Sequence, residues 1–213
     1  MTPTRISPIH AQLQAINGTW REINGMPTIV VVDQPISDRL GMTDLSFLNR
    51  FGVKGSGAAA WLEQQKILVP DRPNSWRSLP DGGLIARLGL TEFLIEDGVN
   101  SHIALQLTQA CQQLPTNVYP ILRQDLAIAL CGSAIQALLL QTCGVNFRPL
   151  SLLQSPVVLT SMAGVSATVI PGESVYRIWC DNTYGAYLWE TLLAIVTELG
   201  GGIVGCETVI QLT

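Results

Sequence analysis

Residues 50–65 read RFGVKGSGAAAWLEQQ, and residues 127–142 read AIALCGSAIQALLLQT. In both, a run with β-forming residues (Phe51 and Val53; Ala127 to Leu130) meets a Gly-Ser pair and then an amphipathic stretch. Trp61 and Leu62 match Leu138 and Leu139 at the same offset that relates Gly55-Ser56 to Gly132-Ser133. Each segment therefore predicts strand, turn and helix. Ser56 and Ser133 stand where an N-cap belongs, with hydroxyls able to accept from an unpaired backbone N–H. No further glycine or lysine extends either pair into a phosphate-binding loop.

The repetition continues downstream. Leu84 to Leu88 faces Phe93 to Glu96, and Val165 to Ile170 faces Val175 to Cys180, each pair around a glycine-containing turn, which predicts two hairpins. After the first hairpin, Asn100 and Ser101 precede a helical stripe of Ile103, Leu107, Ala110, Cys111 and Leu114. After the second, Asp181 to Thr183 precede Tyr184, Tyr187, Leu188, Leu192, Ile195 and Leu199, ended by three glycines at 200–202. Tyr119 to Leu122 closes the first unit as a strand, and Ile203 to Leu212 is expected to close the second. The expected fold is α+β: two tandem β-α-β-β-α units of ferredoxin-like plan. The first covers 1–117 with an N-terminal extension, the second 118–213, and the two pack as one compact domain.

Composition narrows the function. With 47% hydrophobic residues in 213, the chain can bury a sizeable core. Only 13% of residues are charged, about half the usual share, so part of the surface is expected to be covered by a protein partner or a second copy. A net charge of -4 gives no basic footprint for nucleic acid or anionic lipid. No apolar stretch has the length of a membrane helix and the start has no apolar signal core, so a cytoplasmic protein is expected. Five cysteines without a C-x-x-C pair, each among apolar neighbours, read as reduced core thiols and not as a metal site. His10 and His102 have no nucleophile or acid at a motif spacing, so no catalytic residue and no metal ligand is nominated.

These segments resemble a known family. MTDLSFLNRFGVKGSGAAAWL is similar to the folate-binding phrase of the aminomethyltransferases (glycine-cleavage T-proteins), with Asp44, Leu45, Ser46, Gly55 and Ala58 in register and Ser56 where the family has Pro. LAIALCGSAIQALL resembles the second helix start of that family, and PGESVYRIW resembles a Thr-Gly-Glu strand. YGAYLWETL, with Ala186, Tyr187, Leu188 and Trp189, looks most like sarcosine oxidase gamma subunits. The resemblance spans about residues 8 to 200. It implies tetrahydrofolate as the one candidate cofactor and a pterin site at Arg87, Glu173, Tyr176 and Arg177.

The departures bear on function as much as the matches. Where the family has two acids after Gly-Gly-Ile-Ile, this chain has Ala86 and Arg87. Glu173 keeps the first acid of the later pair, but Arg177 replaces the second, exchanging an acceptor-only carboxylate for a donor-only guanidinium. The resemblance also implies, for full aminomethyltransferases, a further β-barrel that closes over the folate, and these residues include no counterpart. The expectation is a non-catalytic folate-fold protein similar to a sarcosine oxidase gamma subunit, working as a partner in a complex; the alternative is a tetrahydrofolate or pterin-binding carrier or sensor. Trp20 and Trp76, in loop-like contexts, are the expected interface anchors.

Overall fold

The structure, a computed structural model, describes residues 5–33, 38–113 and 115–212. In chain order the first elements are α1 (His10–Leu13), β1 (Gly18–Ile23), β2 (Met26–Val32), β3 (Gly41–Asp44), β4 (Arg50–Lys54), α2 (Ala58–Gln64) and β5 (Ser75–Ser78). β6 (Leu84–Arg87), β7 (Glu92–Glu96), α3 (Ile103–Ala110), β8 (Tyr119–Ile121), β9 (Leu126–Cys131) and α4 (Ile135–Thr142) follow. The chain ends with β10 (Val158–Met162), β11 (Val165–Ile170), β12 (Val175–Cys180), α5 (Gly185–Glu198), β13 (Gly202–Ile203) and α6 (Cys206–Ile210). The α+β class and both predicted hairpins, β6–β7 and β11–β12, are present. Leu114 of the predicted first stripe lies outside the described residues.

Contacts divide the chain into two units: 48–124 with 153–158, and 1–47 with 125–152 and 159–213. In the first, the sheet order is β5-β6-β7-β4-β8, and β4 is antiparallel to both β7 and β8. Without β5 this is the split βαβ arrangement. Phe51, Val53, Ile85, Phe93 and Ile95 alternate onto one face and pack with Trp61 and Leu62 of α2 and Ala104 and Leu107 of α3. Each such burial contributes on the order of 1.5–3 kcal/mol.

In the other unit the order is β10-β11-β12-β9-β3-β13. Relative to β9, β3 holds the place that β8 holds relative to β4: antiparallel, on the side away from the hairpin. So the strand leading into the first repeat completes the sheet of the second, and the strand leading into the second completes the sheet of the first. The repeats meet at 117/118 in the sequence, while the contacts group residues 1–47 with the second repeat. The expected final strand from Ile203 to Leu212 is corrected here. Only Gly202–Ile203 is extended, parallel to β3, and Cys206–Ile210 is a helix. Its slot beside β9 is already filled by β3, and Cys206 and Val209, three apart, bury one helical face.

The serine caps are a second correction. α2 starts after Gly57 and α4 after Ala134, with no side-chain cap on either. Backbone carbonyls do this work: Gly57 N–H donates to Asn117 O at 3.1 Å, and Ala134 N–H donates to Arg39 O at 2.7 Å. The acceptors precede β8 and β3, the two exchanged strands. Their approach is what requires glycine at the turn. Gly55 and Gly132 have φ of 120° and 111°, and a Cβ on Gly132 would lie 2.6 Å from Arg39 O, with Gly55 crowding Asn117 O in the same way. Gly55→Ala and Gly132→Ala are each expected to cost about 1–3 kcal/mol or more in urea unfolding. Wild-type stability in either variant would mean that the turns are not tied to those strands.

Candidate functional site

The nominated residues lie on the two hairpins, and adjacent positions diverge. Ala86 is fully buried on β6 opposite Leu94 of β7, while Arg87 points to the other sheet face, beside Phe93. Arg87 Nη1 donates to Pro70 O (3.0 Å) and Asp71 O (3.1 Å), Nη2 to Leu90 O (2.7 Å) and Nε to Gly89 O (3.3 Å). Its Cζ lies 5.5 Å from the centre of the Phe93 ring. Four of its five N–H groups therefore tie two loops to the end of β6, a structural clamp.

On β12, Tyr176 and Arg177 also take opposite faces. The Tyr176 hydroxyl accepts from Gln136 Nε2 of α4 at 2.7 Å, and its ring meets Phe147 edge-on at 6.2 Å. Burial raises its pKa, so it stays a neutral phenol. Arg177, half-buried, lies in a row across the sheet with Ile170 on β11, Ala129 on β9 and, opposite Ala129, Thr43 on β3. Glu173 is exposed in the turn that precedes β12.

Asp44 and Ser46 build a corner. Asp44 Oδ1 accepts from Ser46 N–H at 2.8 Å, and the buried Ser46 Oγ accepts from Ala127 N–H at 3.1 Å. Trp20 and Trp76 are on strands β1 and β5, not in loops, and both are half-buried. Trp20 meets the His10 ring edge-on at 6.0 Å. The five cysteines are free, and burial pushes the thiols of Cys180 and Cys206 up to about 12, far from thiolate reactivity. Among the described residues no three His, Cys, Asp or Glu side chains group to hold a metal ion.

The sequence reading missed the acids that end β7. Arg50 Nη1 and Glu96 Oε2 are 3.3 Å apart with both side chains buried. The neighbouring Asp97 is fully buried, and its Oδ1 accepts from Ala104 N–H (3.0 Å) and Ser101 Oγ–H (3.1 Å). It caps α3 from six residues upstream, and Ser101 serves it as a donor. The only available signal was Glu96-Asp97 ending an apolar strand.

Burial raises the Asp97 pKa above its ordinary 3.8, against the lowering effect of those hydrogen bonds. A raised folded-state pKa gives stability that is full below the unfolded value and lost as pH rises through the folded one. Asp97→Asn keeps an acceptor for both bonds and cannot ionise. The stability gap between variant and wild type, from urea curves at successive pH values above about 4, is therefore expected to move in favour of the variant as pH rises. Parallel curves would mean that Asp97 titrates normally.

Comparison with known proteins adds the relatives of this architecture. No family model and no curated protein matches the chain. Among solved structures, a chain of the heterotetrameric sarcosine oxidase from Corynebacterium sp. U-96 superposes with a TM-score of 0.70 at 19% identity, over 95% of this chain and all of that one. The glycine cleavage system aminomethyltransferase T from Bartonella henselae superposes at 0.74 and 14% identity, over 96% of this chain and 60% of the other. The chain has the aminomethyltransferase-like fold. In that fold, the hairpins bearing Arg87 and Arg177 belong to different units.

Proposed function

We propose that the protein is a non-catalytic subunit of folate-binding-type fold that works inside a protein complex, as the sarcosine oxidase gamma resemblance implies. The observation that carries this is the end-to-end match to a chain of a heterotetramer, over 95% of this chain and 100% of that one. The replacements at Ala86 and Arg177, and the use of Arg87 to hold two loops, support the absence of one-carbon chemistry. Light scattering after size exclusion, with pull-down from native extract, is expected to show a stoichiometric protein partner, and a lone monomer would refute the reading. Tetrahydrofolate-dependent turnover by the pure protein at about one per second, within the ordinary enzyme range, would refute its non-catalytic part. Among the described residues no helix is long and apolar enough to cross a membrane; the cytoplasmic placement we propose rests on the sequence reading.

A second reading is a tetrahydrofolate-binding module without transferase activity, favoured by the superposition on aminomethyltransferase T. In it Glu173, Tyr176 and Arg177 contribute to binding. Isothermal titration with tetrahydrofolate under reducing conditions decides it: saturable binding weakened by Glu173→Ala supports this module, and its absence rejects it.

A further inference from the structure

We propose that the groove along the open half of β5 docks an extended acidic segment of a partner protein by adding a strand to the sheet. This rests on the reading of the chain as a subunit of a complex. β5 is the edge strand of its sheet, and only its first half is covered. Trp76 N–H donates to Ser155 O at 2.9 Å and Val157 N–H to Asn74 O at 2.8 Å, around a bridge between Ser75 and Pro156. At Ser155 the backbone turns through φ 46°, and a 3₁₀ turn over Leu152–Gln154 leads the chain away. By the two-residue period, the Trp76 carbonyl and the Ser78 N–H point outward along the half left uncovered.

A groove of about 280 Å³ opens there, lined by Arg72, Trp76, Arg77, Ser78 and Leu153 among others. Its chemistry specifies the occupant. Arg72 and Arg77, both exposed, supply two cations against the single acid Asp71. Leu153, 99% exposed, offers an apolar contact to a side chain on the added strand. Cations, an open strand edge and an apolar knob together suit a peptide that alternates carboxylates with apolar residues. A simple anion would use only the arginines.

The test pans the full-length protein against a displayed library of random eight-residue peptides, then measures the selected peptides by fluorescence anisotropy. Acidic peptides with alternating apolar residues are expected, with affinity lost at least tenfold in the Arg72→Gln/Arg77→Gln variant and amide exchange at Ser78 slowed by the peptide. Both arginines are exposed, and an unchanged circular dichroism melt establishes that the variant is folded. Basic or uncharged selections, no selection, unchanged affinity in the variant, or displacement by millimolar inorganic phosphate would each overturn the proposal. A stoichiometric partner retained by the variant in native light scattering would refute the groove and leave the subunit reading standing.

Discussion

Expressed alone, residues 48–124 are expected to fold cooperatively, while residues 118–213, the whole second repeat, remain unfolded. The first fragment contains β4 to β8, α2, α3 and the complete cluster from Phe51 to Val118. The second lacks β3 and with it Leu40, Met42 and Phe47, each fully buried. Truncating one such side chain costs about 2–5 kcal/mol, and losing all three rivals a whole domain's stability of about 5–15 kcal/mol. Circular dichroism with urea titration of both fragments decides the matter. A cooperative transition from 118–213 on its own would show that the repeat is self-sufficient and that the contribution of β3 is ornamental.

The second large effect is expected at the buried ion pair. Arg50→Ala leaves Glu96 charged in a site closed to water, and breaking a buried pair in this way costs about 3–5 kcal/mol. At roughly 2–4 °C per kcal/mol for a chain of this size, the melting temperature should fall by about 10 °C. The paired replacement Arg50→Met with Glu96→Leu removes both charges and should recover most of that loss. If the single and double variants melt together, the pair is not isolated from solvent.

What could be read from the sequence follows from the range of the interactions. Hairpins such as Leu84–Arg87 with Glu92–Glu96 and helices such as Gly185–Glu198 are specified by neighbours within a few residues, so alternation and helical stripes revealed them. β3 is four residues long, and its partner on β9 lies far along the chain, so no local pattern could reveal it. The run Ile203 to Leu212, rich in β-formers, looks like a strand because propensity ignores that the place beside β9 is taken. Ser56 and Ser133 sit correctly for caps but lose to the carbonyls of Asn117 and Arg39, which only the folded chain brings near. At the candidate site, the nomination of Glu173, Tyr176 and Arg177 rests on resemblance alone, whereas the clamp made by Arg87 depends on carbonyls from two loops and carries no sequence signature.

The exchange of leading strands also sets an order of events on the ribosome. Residues 48–124 can close their sheet once Tyr119–Ile121 has emerged, but Thr43 must wait for Ala129. At about 5–20 residues per second, the stretch between Phe47 and Ala129 takes on the order of 10 s to be made, and through that time Leu40, Met42 and Phe47 stay uncovered. Those residues, the first to be made and among the last to be buried, form the window in which a chaperone or a partner subunit could capture the nascent protein.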